Sequence, residues 1–128
     1  MKLNPKQIET VLALDGPRRY EHFIKQVADS EQVWGLYRGG WALASTDEGL
    51  PVFPLWPAKE YAELCQQNDW VECEPLSIPL DELIEELFPD LENDGVLIGV
   101  FYNSTGDSVI RPVSQLLEDL NNELEKYG

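Results

Sequence analysis

The chain has 128 residues, 43% of them hydrophobic and 26% charged, and a net charge of −15. That length suits one domain, which should bury about two thirds of the surface its unfolded chain exposes. The charge is lopsided, with a net of +1 over residues 1–40 and −16 over residues 41–128; such a surface repels nucleic-acid phosphates and anionic lipid and attracts basic proteins or cations. The longest apolar run, 96–102, is far shorter than the roughly 20 residues that span a bilayer, so no membrane segment is expected. MKLNPKQIET at the start lacks the apolar stretch and cleavage site of a secretory signal, which makes a cytoplasmic location the expectation.

Two short helices open the chain. Asn4, Pro5 and Gln7 fit the N-cap, N1 and N3 positions of the first, with Ile8, Val11 and Leu12 on one face. Asp15, Gly16 and Pro17 break it. A second helix over 17–30 sets Tyr20, Phe23, Ile24 and Val27 at the spacing of a buried stripe. His22, the one histidine of the chain, lies off that stripe and is expected to be exposed.

A sheet module follows over 33–56. Gly39-Gly40 supplies the positive backbone dihedrals of a two-residue hairpin turn, which would set Arg38 opposite Trp41, Leu36 opposite Leu43 and Trp34 opposite Ser45. One face would then carry Trp34, Leu36, Trp41 and Leu43, and the other the smaller Gly35, Ala42 and Ala44 with Tyr37. Residues 46–49 make a second turn into a strand over 50–56, where Pro51 and Pro54 indicate an edge or bulged strand.

Pro57 fits the first position of a helix that places Ala58, Tyr61, Ala62 and Cys65 on one face. A strand is expected over 70–78. An amphipathic helix over 79–88 points Leu80, Leu83, Ile84 and Leu87 inward and is ended by Pro89. The run 95–102, apolar on both alternating faces, reads as an interior strand. A loop through Asn103, Ser104, Gly106 and Asp107 leads to a short extended piece at 108–111, and a last helix over 113–127 carries the stripe Val113, Leu116, Leu117, Leu120 and Leu124. The fold class is α+β: a single domain, 1–128, with an antiparallel or mixed sheet of about five strands and helices packed around it. Helices on both sheet faces are the alternative.

Little here carries catalytic chemistry. Cys65 and Cys73 have no histidine or third cysteine for a zinc site, and their neighbours Glu63, Asp69, Glu72 and Glu74 would disfavour a thiolate; both read as reduced, buried thiols. Asp90, Glu92, Asp94 and Gly95 imitate the first half of a calcium loop, but position twelve is Phe101 where a bidentate glutamate is needed. Asp81, Glu82, Glu85 and Glu86 lie on the solvent side of their helix, where nothing would shift them toward acid–base work. No metal or cofactor is expected. The residues read here as a candidate binding site are Tyr37, Arg38 and Asp47, the polar groups nearest the small face of the hairpin. The expected role is a non-catalytic cytosolic binding, adaptor or regulatory module whose acidic C-terminal two thirds meets a basic protein. The competing reading is a small hydrolase or transferase with a pocket on the small face of the tryptophan-rich hairpin, in which Tyr37, Arg38 and Asp47 would be the polar groups.

The order WGLY, WAL, an acidic-glycine turn, PLWP followed by KEYAE, then PLDELIEELFP running into GVLIGVF, resembles a bacterial family known as domain of unknown function 2750. The likeness covers residues 33–102. More weakly, the chain is similar to enhanced-serine-sensitivity type domains. The resemblance implies a small soluble bacterial protein and brings no catalytic residues.

Overall fold

The computed structural model of the chain describes residues 4–66, 70–103 and 108–126. Helices α1 (Pro5–Leu12) and α2 (Gly16–Ser30) begin it. The capping residues act as their types predict: Asn4 Oδ1 accepts from Gln7 N at 2.8 Å, and Gln7 Oε1 accepts from Asn4 N at 3.2 Å. Two donors that a helix start leaves open are thereby satisfied. Asp15 caps α2 by accepting from Arg18 N at 3.0 Å. Phe23, Ile24 and Val27 are buried as the stripe requires. The buried line continues one turn further back, to Arg19, only 5% exposed.

Six short strands follow: β1 (Gln32–Tyr37), β2 (Ala44–Ser45), β3 (Pro51–Leu55), β4 (Glu74–Pro79), β5 (Leu97–Val100) and β6 (Val109–Arg111). They form a four-stranded mixed sheet in the order β2-β3-β5-β6 and a separate antiparallel pair, β1-β4. Among the described residues, only β3 and β5 run parallel. The two groups are joined where Trp34 and Trp56 exchange backbone hydrogen bonds of 2.9 and 2.8 Å. The α+β class and the single domain hold, with helices packed on the sheets and β5 interior, its Ile98 and Val100 fully buried.

The tryptophan hairpin departs from its expected register by one residue. Tyr37, not Arg38, is bridged to Trp41, Ala42 N donates to Leu36 O at 2.8 Å, and Arg38 N donates to Gly40 O across a three-residue loop. Only Gly39 of the glycine pair has a positive φ, +66°, so the turn is not the two-residue type that needs both. A slip of one exchanges the faces. Trp41 consequently lies over Gly35, where a Cβ would come within 3.0 Å of its ring, and the expected small face is covered. Leu36 is buried, whereas Leu43, expected in the core beside it, is 51% exposed.

The strand with two prolines is interior, between β2 and β5, and the expectation of an edge strand fails for a local reason. Leu55 O accepts from Phe101 N on the β5 side, while Trp56 bonds to Trp34 on the other. Alternation along the strand puts Pro54 on the Trp56 side, beyond the last paired residues of the two-residue β2. Its missing N–H interrupts no ladder bond.

Pro57 precedes the N-cap, Ala58, of the short α3 (Lys59–Glu63) instead of opening it. The expected face is nonetheless inward: Tyr61, Ala62 and Cys65 are buried. The strand expected over 70–78 begins only at Glu74, so Cys73 stands just before it. Asp69, Ser104, Gly106 and Asp107 lie outside the described residues. The helix expected to stop at Pro89 passes through it, as α4 (Leu80–Glu82), a π turn (Leu83–Leu87) and α5 (Phe88–Asn93). Phe88 N donates to Leu83 O, five residues back. That widened turn accommodates a proline ring that would clash with an ordinary i−4 carbonyl. Helix α6 (Val113–Leu124) closes the fold, with Val113, Leu116 and Leu120 buried. It is tied to α2 by Tyr20, whose hydroxyl donates to Asp119.

Candidate functional site

Tyr37 and Arg38 sit at the outer end of β1. Tyr37 packs edge-on against Trp41, ring centroids 5.2 Å apart, and Trp41 rests in turn on Phe53 at 5.8 Å. The register pairs Tyr37 with Glu74 and Gly35 with Leu76, so Tyr37, Trp41 and Leu76 share one face. Tyr37 is 39% and Leu76 44% exposed. Arg38 forms an ion pair with Glu72 in which both side chains are about two-thirds exposed, which gives a screened surface contact of small energetic weight. Asp47 stands on the other turn and reaches no side-chain partner among the described residues. The structure thus sets Tyr37 and Arg38 side by side at the end of β1 and leaves Asp47 unconnected to them.

Strand β4 is the free edge of this pair. Trp34 and Leu36 direct their backbone bonds away from β4, so Gly35 and its neighbours in phase bond to Leu76, Ile78 and Glu74. Pro75, Ser77 and Pro79 therefore turn their backbone outward. Two of those three positions lack a donor, which guards the edge against strand addition and leaves side chains as the means of contact.

The chemistry-bearing residues missed in the sequence gather elsewhere, where α1, α2 and α3 meet. Arg19 carries its guanidinium into the interior, donating from Nε to Phe101 O at 3.2 Å and from Nη1 to Leu14 O at 3.1 Å. Phe101 is fully buried with φ +61°, a left-handed conformation that a bulky side chain adopts only when its surroundings enforce it. Its ring lies 4.7 Å from Tyr61 and 6.2 Å from His22. His22 is not the exposed side chain expected: it is half-buried, and its Nε2 is enclosed without a hydrogen-bond partner. Burial lowers its pKa below the ordinary value, opposed in part by a hydrogen bond that the ring donates to Gln26. Burial raises the Tyr61 phenol, with Glu60 adding to the effect. His22, Gln26 and Tyr61 form one wall of a cleft of about 470 Å³ whose other wall is α1, with Asn4, Lys6 and Gln7. The signal for Arg19 lay in its i−4 and i−8 relation to Phe23 and Val27; nothing local signalled the cleft, because its lining comes from three helices, with Tyr61 lying 35 residues beyond Gln26.

Cys65 and Cys73 are free and buried. The Cys65 thiol is pushed up to about 11 by burial, which outweighs the Trp56 indole beside it, and its Sγ donates to Tyr102 O at 3.4 Å. The helix carboxylates Asp81, Glu82, Glu85 and Glu86 all face solvent. The calcium-like run begins on α5, so Asp90 and Glu92 are helical and not in a ligand loop. Among the described residues no group of three or more His, Cys, Asp or Glu is placed to hold a metal ion, and no helix is long and apolar enough to cross a membrane.

These features define a small α+β domain with an aromatic face at a proline-guarded sheet edge and a polar cleft between its helices. Residues 20–120 match the family described as protein of unknown function (DUF2750), and the chain belongs to that family. The match takes in His22, Gln26 and Tyr61 but not α1. Comparison with curated proteins and with solved structures returns no match.

Proposed function

We propose that the protein is a non-catalytic cytosolic binding or adaptor module whose acidic surface receives a basic protein, with the face of Tyr37, Trp41 and Leu76 as its contact. The observation that carries this reading is the combination on that face of half-exposed aromatic and apolar side chains with the carboxylates of Glu72 and Glu74 at its border. An aromatic anchor ringed by charge is the usual make-up of a protein contact. The net of −16 over residues 41–128 would steer a basic partner and reject acidic ones, since complementary charge acts on encounter and choice more than on affinity. The edge prolines Pro75 and Pro79 favour a partner that docks on the face over one that adds a strand. The test is affinity capture from the native host at low salt and at 1 M salt, where the Debye length falls to about 3 Å. A stoichiometric basic partner held at low salt and released at high salt is expected; a neutral or acidic partner, or none, defeats the proposal.

A further inference from the structure

We infer that the cleft between α1, α2 and α3 is a binding site for a small organic anion: a planar apolar body bearing a carboxylate or a phosphate monoester. The inference rests on an accounting of donors and acceptors. Asn4 Oδ1 and Gln7 Oε1 are each engaged by one bond of the capping box of α1, so each amide has its NH2 group as the principal one to offer a ligand. Gln26, one turn on from His22 along α2, adds a third side-chain amide to the lining. Lys6 adds an ammonium at the same wall. The Thr10 hydroxyl proton is already given to Lys6 O at 2.9 Å, so its oxygen is an acceptor of the lining, and His22 Nε2 is the lining's enclosed atom without a partner. Three amide side chains, an ammonium-bearing lysine and Tyr61 thus line one space.

The composition of the remaining surface sharpens the point. The chain has 24 Asp and Glu residues, yet among the described residues none lines this cleft. A cationic ligand would find no carboxylate in the lining, Glu60 acting on Tyr61 from outside it, whereas an anionic oxygen group would meet amide and ammonium groups there, the partners of charge-assisted hydrogen bonds. Val11 and the Tyr61 ring supply the apolar floor, and a few placed polar groups over an apolar lining are what fix a ligand's orientation. The site is half inside and half outside the segment that matches the family, since α1 precedes residue 20.

The probes are benzoate and phenyl phosphate, with benzylamine and benzamide as cationic and neutral counterparts of the same shape. Each is titrated into the ¹⁵N-labelled protein while the side-chain NH2 resonances of Asn4, Gln7 and Gln26 are followed. At least one anion should shift all three saturably, with a dissociation constant of about 10 mM or tighter, the weakest expected for a ligand of this size. The stronger of the two anions identifies the headgroup, carboxylate or phosphate. Gln7→Glu is the decisive variant. Glutamate at N3 preserves the capping box and replaces a donor by a carboxylate, so anion affinity should fall at least tenfold while the melting temperature stays put. Benzylamine binding as tightly as the anions, undiminished anion affinity in Gln7→Glu, or no saturable shift from either anion overturns the inference.

Discussion

Gly99→Ala should be among the most damaging single-methyl changes available in this fold. Gly99 lies in β5 between Pro54 of β3 and Ile110 of β6. A Cβ there would stand 2.5 Å from Tyr102 Cε2 and 2.7 Å from Val52 Cγ1, and neither neighbour can withdraw freely. Val52 is β-branched and 0% exposed, which holds its rotamer. Tyr102 is packed against Trp70 and Trp56, at 5.5 and 6.5 Å. Overpacking in a closed core costs about 1–3 kcal/mol, and two contacts inside van der Waals range put this site near the upper end. A loss of about 3 kcal/mol corresponds to a melting temperature lower by roughly 10 °C for a domain of this size. Urea denaturation should show the loss in the midpoint with the slope unchanged. Val52→Ala removes Cγ1, so its own penalty should shrink by about 1 kcal/mol or more in the Gly99→Ala background, a coupling readable from the double-mutant cycle. A Gly99→Ala protein that melts within about 2 °C of the parent, or additive penalties in the cycle, would refute the packing described around β5.

Three further outcomes follow from the structure. Trp41→Ala should cost about 3 kcal/mol, the low end for a large aromatic, because the ring is only half-buried although it covers Gly35 and Phe53; an unchanged melting temperature would contradict the register in which Tyr37 faces Trp41. His22 has a folded-state pKa below its unfolded value of 6.5, so the unfolded chain binds the proton more readily and stability falls as pH drops below about 6.5. The stability advantage of the parent over His22→Gln should therefore be constant above neutrality and decline through that window; an advantage that grows toward acid would show the sign to be wrong. Cys65, with its thiol raised to about 11, should resist a thiol-specific reagent at pH 8 in the native protein and react fully in denaturant, and rapid native labelling at Cys65 would contradict its burial.

The helices were legible because their determinants are local. Asn4 with Gln7 and the stripe Phe23–Ile24–Val27 state their own geometry, and the structure follows them. Strand partnership was not, because it depends on residues far along the chain. Trp34 was assigned a hairpin neighbour, yet β1 takes its main partner, β4, from 41 residues further on at Gly35–Leu76. The one-residue slip of the hairpin turned on whether Gly39-Gly40 or Arg38–Gly40 makes the loop, a choice decided by the room that Gly35 leaves for the Trp41 ring. Pro54 and Pro89 misled for a related reason. Each forbids one backbone bond, and the fold supplies a place where that bond is not required, beyond the end of β2 and after a π turn. Of the candidate site, Tyr37 and Arg38 were legible as a pair at a hairpin end. The cleft was not, since its donors matter only after the capping box has used the acceptors of Asn4 and Gln7.

The proposal that the aromatic face receives a basic partner is tested most directly by mapping the captured complex. Hydrogen–deuterium exchange of the protein with and without its partner should show protection concentrated on β1 and β4, at the strand carrying Tyr37 and the strand carrying Leu76. The double variant Tyr37→Ser, Leu76→Ser, which alters exposed side chains only, should release the partner without lowering the melting temperature by more than about 2 °C. Protection that falls on α6 or on the cleft between α1 and α2, with the partner retained by the double variant, would contradict the assignment of this face.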